Sequence, residues 1–229
     1  LSVKTKELYK AASRRDFIIA GPQGTGKTDK SNLIASIIQG GKFVCGDVVR
    51  ASPLLKKLSD DGSLVPDEII NEIIYDGIKE SALKNPNGIV IDGVPRTESQ
   101  IAIIKRLQKE GVLNIVGIVI LEGDINKFKA RLEARRTCDK CGIVTDVEDA
   151  KIKGSKDGKC FMTGCDGVLY QRVDDTPASI QKRINTYFET TAPATKKLAE
   201  DLVLIRQNTE ASKEIVNREL TEKIKVLIY

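Results

Sequence analysis

An α/β fold, with a parallel sheet of five strands between two layers of helices, is predicted from three observations. Short apolar runs at 17–20, 43–44, 89–91, 115–121 and 202–205 alternate with amphipathic stretches at helical spacing. A glycine-rich turn joins the first run to the first helix, the arrangement of a three-layer fold built on a phosphate-binding loop (P-loop). Two stretches, from Asp47 to Tyr75 and from Thr137 to Asp174, break the alternation and read as insertions on the sheet edge where such a fold carries its ligand loops.

The first run, Phe17-Ile18-Ile19-Ala20, passes directly into Gly21-Pro22-Gln23-Gly24-Thr25-Gly26-Lys27-Thr28, which fits G-x-x-x-x-G-K-[ST]. Its glycines let the backbone wrap a polyphosphate with the N–H groups of Gly24, Thr25 and Gly26 turned inward. Lys27 then bridges the outer phosphates and the Thr28 hydroxyl meets Mg²⁺. Leu33, Ile34, Ile37 and Ile38 supply a helix over 27–39 whose N-terminus the anion needs. The stretch after Asp47 is helical without strand character and runs into a helix over 67–84. The run 89–91 ends in Asp92, a carboxylate presented towards Mg²⁺ beside the loop; a solvated aspartate in a turn is the bland alternative. Gly93-Val94-Pro95-Arg96-Thr97 opens a helix over 97–110, with Gln100 one turn further on. Asp124 caps a helix over 124–136 that places Arg131 and Arg135 at i and i+4 on one face. Thr176 caps a helix over 176–199 with Pro177 at its first position, and a helix over 212–226 ends the series.

Cysteines fall at Cys45 and then at Cys138, Cys141, Cys160 and Cys165 within one glycine-rich window. The tight Cys-x₂-Cys pair with a looser second pair points to one Zn²⁺ held by four thiolates. Such a closed tetrahedral site holds a segment together and leaves no position for water. Asp166 is an alternative for one thiolate, and free thiols, a disulfide or a redox pair are the competing readings. A nucleic-acid zinc finger is a further one, disfavoured because aromatics beyond Phe161 and Tyr170 are missing and the lysines alternate with aspartates.

A hydrophobic content of 41% with 30% charged residues is that of a globular chain, and no apolar stretch approaches the roughly 20 residues that span a bilayer. The net charge of +5 is spread along the chain, which favours an anionic substrate over a polybasic nucleic-acid arm. With no histidine, imidazole acid–base catalysis and histidine metal sites are both excluded. An intracellular, cytoplasmic location is expected; because the chain opens with Leu1, a processed N-terminus leaves an organelle open.

Six stretches in order resemble adenylate kinase, in the long-lid form that carries a zinc site: the loop from Gly21 to Thr28, Cys45-Gly46-Asp47-Val48-Val49-Arg50, Gly62-Ser63-Leu64-Val65-Pro66-Asp67, Asp92-Gly93-Val94-Pro95-Arg96-Thr97 through Gln100, Arg131-Leu132-Glu133-Ala134-Arg135-Arg136, and Arg172-Val173-Asp174-Asp175 through Arg183. The resemblance implies a core of 16–45, 76–136 and 175–229, a nucleoside-monophosphate-binding insertion at 46–75, a zinc-knuckle lid at 137–174 and an N-terminal extension at 1–15. It implies Mg-dependent transfer from ATP to AMP, with ATP, AMP and ADP as partners, no nucleic acid or membrane, and a monomeric enzyme. Gly24, Thr25, Gly26, Lys27, Thr28, Arg131 and Arg135 then belong to the ATP site. Cys45, Arg50, Leu64, Val65, Gly93, Arg96, Gln100, Arg172 and Arg183 belong to the AMP site, and Lys27, Asp92, Arg96, Arg135, Arg172 and Arg183 to the catalytic group. The acceptor is already an oxyanion, so alignment and positive charge suffice without a general base. Cys45 replaces the family's usual threonine beside the acceptor base, Thr28-Asp29 its Gly-Thr, and Gln207-Asn208-Thr209 its turn near the donor base; base selectivity is where these departures bear. A kinase for another nucleoside monophosphate is the alternative, with a P-loop ATPase further behind.

Overall fold

The computed structural model describes residues 14–228. Its central sheet consists of β1 (Asp16–Ala20), β2 (Gly41–Val44), β3 (Ile89–Asp92), β4 (Ile115–Glu122) and β8 (Leu204–Asn208), all parallel, in the order β2-β3-β1-β4-β8. Winding reverses beside β1, so the crevice at the strand C-termini falls where Gly21 leaves β1 and Gly93 leaves β3. The helices are α1 (Lys27–Ile37), α2 (Cys45–Ala51), α3 (Pro53–Lys57), α4 (Asp67–Lys84), α5 (Glu98–Lys109), α6 (Ile125–Ala134), α7 (Val147–Ile152), α8 (Pro177–Thr186), α9 (Ala192–Ala199) and α10 (Lys213–Ile228). None of them is long and apolar enough to cross a membrane.

Successive residues of a strand face opposite sides of the sheet, and the core divides accordingly. Ile18, Ile91 and Ile118 enter one cluster with Ile74 and Ile78 of α4 and Ile104 and Leu107 of α5. Phe17, Ile19, Val90 and Val119 enter the other with Ile34 of α1 and Leu220 and Ile224 of α10. Runs buried on both faces lose the polar alternation of a half-exposed strand, which is why β1 and β3 are apolar throughout apart from their terminal aspartates, Asp16 and Asp92.

Arg14 lies inside this core, although the resemblance assigns it to the N-terminal extension; residues 1–13 of that extension lie outside the described residues. Its guanidinium pairs with Asp16 through two bonds of 2.9 and 2.7 Å and also donates to the carbonyls of Ala82 and Asn85 at the end of α4. Asp16 in turn accepts the backbone N–H groups of Ile89 and Asn114, so one ion pair ties the starts of β1, β3 and β4 together. A buried pair keeps its place only when further hydrogen bonds support it, and here Arg14 donates four and each Asp16 oxygen accepts two.

Three expectations change. The helix expected over 124–136 stops at Ala134: Arg135 is extended (φ −60°, ψ 139°) and starts β5 (Arg135–Cys138), so Arg131 and Arg135 do not share a helix face. The cause is the insertion, whose glycine-rich sequence hides a three-stranded antiparallel sheet of β6 (Val144–Asp146), β5 and β7 (Leu169–Tyr170) that recruits Arg135 and Arg136 into its ladder. The helix expected over 176–199 widens into a π-turn at Tyr187–Thr191, just ahead of Pro193, whose ring nitrogen has no N–H for a regular helical bond. The last strand starts two residues later than its apolar run and ends three later, at Asn208, and includes Gln207, which is buried with partners in Glu219 and Lys223.

Candidate active site

The loop after β1 is shaped by glycines. Gly24 adopts φ +86°, and a Cβ there would stand 2.5 Å from the Phe128 carbonyl oxygen, so only glycine lets the loop close against α6. Gly26, also left-handed, heads α1, and Thr25 is buried with its hydroxyl on the Pro22 carbonyl at 2.9 Å. Lys27 folds back onto the carbonyls of Gly21 and Pro22, 2.8 Å each. Thr28 is exposed at the first turn of α1.

Around Lys27 the fold gathers cations from distant parts of the chain. Burial pushes the Lys27 ammonium down to about 8, with Asp92 opposing the shift and Arg96, Arg183 and Arg135 adding to it. Arg183 is likewise lowered by burial, against Asp174, and by repulsion from Arg135 and Arg96. Burial, Arg135 and Arg50 bring Arg172 down to about 10. Asp92 is raised by burial, with Lys27 and Arg96 pulling the other way. Cations that depress one another in a common hollow make a site for a strongly anionic ligand, whose charge relieves the repulsion.

Two carboxylates, Asp174 and Asp175, organise these arginines, and the sequence reading gave neither of them a role. Asp175 is completely buried and accepts Arg135 Nε at 2.8 Å and Arg183 Nη1 at 3.3 Å, while Arg183 also pairs with Asp174 at 3.0 Å. Its signal in the sequence is the Asp-Asp directly after Arg172-Val173. Arg172 Nε donates to Thr137 Oγ1 at 3.0 Å, which anchors it on β5.

A cavity of ≈ 220 Å³ opens beside this centre between the helical insertion and the segment 170–174. Cys45, Arg50, Leu64, Val65, Arg96, Gln100 and Arg172 all line it. A smaller cavity of ≈ 50 Å³ holds Lys27, Gly93 and Arg183, and Arg96 and Leu64 line both. Arg96 Nε donates to Gly93 O at 3.1 Å, which aims the rest of its guanidinium at the junction. Arg50 pairs with Asp47 at the end of α2. Cys45 is buried, and burial pushes its thiol up, so it stays a neutral wall group. Gln100 is buried with its amide partly spent: Oε1 accepts the Arg96 N–H at 2.7 Å, and Nε2 donates to Asp67 Oδ1 at 3.2 Å. Asp67, which the sequence reading placed at a helix start and at the end of a resembling stretch but gave no role, is thus a further overlooked residue.

Arg131 stands apart from the other arginines. Its Nη2 donates to the Thr209 carbonyl at 3.0 Å, just after β8, and its guanidinium lies 5.7 Å from the ring centroid of buried Phe128 in α6. Gln207 turns the other way, towards α10.

The four insertion cysteines converge: all four Sγ atoms lie within 4.8 Å of one another, with Cys138–Cys165 at 3.7 Å and Cys141–Cys160 at 3.6 Å. A tetrahedron with Zn–S bonds of about 2.3 Å has edges of about 3.8 Å, so the thiols are set at metal spacing. Gly167 is required here, since a Cβ would stand 2.4 Å from Cys138 Sγ. Asp166 is not one of the four; it pairs with Lys140 at 2.6 Å on the surface.

The family model of adenylate kinase matches residues 19–201. Adenylate kinases of Salinispora tropica, Desulforamulus reducens and Halobacterium salinarum are similar to the chain. They are 34%, 30% and 30% identical over 77%, 78% and 86% of this chain and 82%, 84% and 91% of their own lengths.

Proposed function

Because this chain belongs to the adenylate kinase family, we propose that it transfers the terminal phosphoryl group of ATP to AMP, reversibly, giving two ADP. The observation that carries this reading is the position of Arg96 in the lining of both cavities, where a monophosphate acceptor in the larger meets a donor phosphate beside Lys27 in the smaller. The larger cavity holds AMP: Arg50, Arg96 and Arg172 take its phosphate, and Gln100 and Cys45 face the base. ATP lies along the loop from Gly24 to Thr28 with its base against Arg131. Asp92, which acts on Lys27 electrostatically, and Thr28, next to Lys27 in the chain, offer hard oxygen donors that would hold the Mg²⁺ accompanying ATP; the ion would neutralise phosphate charge there.

Lys27, Arg96, Arg135, Arg172 and Arg183 act on charge that redistributes as the phosphoryl group passes between oxygens. Their gain over water lies in being already oriented, with their mutual repulsion paid for in folding. No proton has to be removed from a phosphate acceptor, in keeping with the absence of histidine. The helical insertion 46–75 is the acceptor-binding unit and the cysteine segment 137–174 the lid, whose closure excludes water. The Lys182–Asp61 ion pair at 2.6 Å and the packing of Gly62 against Arg183 join the insertion to α8 beneath that lid.

The test is direct. Purified protein with Mg²⁺ and ADP alone is expected to accumulate ATP and AMP in equal amounts, and with ATP to phosphorylate AMP ahead of GMP, CMP and UMP. Steady ATP hydrolysis independent of any acceptor, or a preference for a pyrimidine monophosphate, overturns the reading.

Zn²⁺ bound by Cys138, Cys141, Cys160 and Cys165 is proposed as the structural metal of the lid. Elemental analysis is expected to find one zinc per chain, and chelation to expose 135–174 to protease while the five-stranded sheet stays folded. Metal-free protein with the same protease pattern and melting temperature rejects the metal.

A further inference from the structure

Gln100 is gripped from two sides by groups of opposite polarity. A backbone N–H can only donate and an ionised carboxylate can only accept, so the Arg96 N–H at 2.7 Å and Asp67 Oδ1 at 3.2 Å fix which end of the amide is oxygen. A flip would set N–H against N–H and a lone pair against a carboxylate. What Gln100 has left for the cavity is one N–H and one lone pair, in a set order. Among the described residues that line the cavity Asp67 is not included; it stands behind Gln100.

The geometry points to Asp67 as a positioning residue that determines base choice by locking the Gln100 amide. The inference rests on the reading of the larger cavity as the AMP site. Adenine offers an amino donor beside a ring-nitrogen acceptor, which matches a lone pair next to an N–H. Hypoxanthine offers a carbonyl acceptor beside a ring N–H donor, the reverse order. A locked amide accepts the first and opposes the second, whereas an amide free to turn over takes either.

Asp67 is itself held before any nucleotide arrives. Its Oδ1 also accepts the Thr97 hydroxyl at 3.0 Å, its Oδ2 accepts the Ser99 hydroxyl at 2.6 Å, and Asn71 donates to Ser99 Oγ at 3.1 Å. Thr97 occupies the N-cap of α5 yet makes no side-chain cap bond, its hydroxyl being committed to Asp67. Asp67 is the first residue of α4, where the helix N-terminus favours a negative charge. The carboxylate is thus fixed by α4 and α5 together, and Gln100 is the one partner through which it meets the cavity.

The experiment compares kcat/KM for AMP and for inosine monophosphate, with ATP as donor, in the native protein, Asp67→Asn and Thr97→Ala. Asp67→Asn keeps the shape but supplies either an acceptor or a donor, so that only the Arg96 N–H still opposes a flip of the amide. The AMP-to-IMP ratio is expected to fall about 10-fold, through KM for the acceptors, with kcat for AMP and KM for ATP unchanged. Thr97→Ala removes another bond to the same carboxylate and leaves Gln100's, so its ratio is expected to stay within about twofold of native. An unchanged ratio in Asp67→Asn, or an equal loss in Thr97→Ala, overturns the inference and leaves Asp67 as a tie between helices. Should Asp67→Asn not fold, Asp67→Ser, well tolerated at a helix N-terminus, carries the same expectation. If the native protein does not phosphorylate AMP, the reaction assigned above fails. Calorimetric binding of AMP and IMP without ATP then still decides the role of Asp67.

Discussion

Arg96→Ala is expected to lower kcat/KM for AMP by about 10²-fold or more while leaving the melting temperature of the nucleotide-free protein unchanged or slightly raised. The loss follows from its place in both cavities, where its fork can hold an acceptor phosphate against the group in flight. The stability follows from what surrounds it. Arg96 makes no ion pair with any described residue; one bond to the Gly93 carbonyl holds it, and Lys27 and Arg183 repel it. Removing a cation that Lys27 and Arg183 repel relieves repulsion in the nucleotide-free site and offsets the lost attraction to Asp92. Arg96→Lys is expected to regain part of the rate, because a point charge replaces the charge but not the two-pronged geometry. Steady-state kinetics with thermal melting checks both halves, and near-native turnover in Arg96→Ala removes the residue from the catalytic group.

The sheet was legible because β1 and β3 are buried on both faces and β4 mostly so, which favours near-continuous apolar runs. The loop after β1 was legible for a different reason: its left-handed glycines and Lys27 are demanded by backbone approach to an anion, so the chemistry is written in consecutive residues. The small sheet around Cys138 was not. Its strands are only two to four residues long, they carry Arg135, Arg136 and Asp146, and four thiols replace an apolar core, so no periodicity marks them. The same opacity misplaced Arg135, which helical spacing from Arg131 suggested for a helix that the β5 ladder ends first.

Arginines were easier to find than the carboxylates that aim them. An arginine beside an insertion suggests an anion on its own, whereas Asp67 and Asp175 look like a helix start and a turn until the three-dimensional partners are known. Gln100 shows the consequence. Read from its side chain alone it offers a whole amide to a base, but the Arg96 N–H and Asp67 take half of that capacity, and the half that remains is directional.

Asp175→Asn is expected to cost about 3 kcal/mol of stability in the nucleotide-free protein and to lower kcat on the order of 10²-fold. The carboxylate is fully buried and faces Arg135 and Arg183, whose side chains are 17% and 16% exposed, so little water is present to take over its charge. Asparagine preserves the outline but returns no negative charge: Arg135 loses its carboxylate partner and Arg183 keeps only Asp174, while both arginines already repel Lys27. They then separate, and a displacement of about 1 Å in groups that must surround a transferring phosphoryl is enough for a loss of that size. The stability deficit has a signature that a packing defect lacks. Saturating ADP brings phosphates into the same cluster and supplies the missing charge, so the difference in melting temperature between Asp175→Asn and native protein is expected to shrink when ADP is present. A deficit of the same size with and without ADP assigns Asp175 to packing alone; a nucleotide-free melting temperature equal to native means that the arginines are held by something other than this carboxylate.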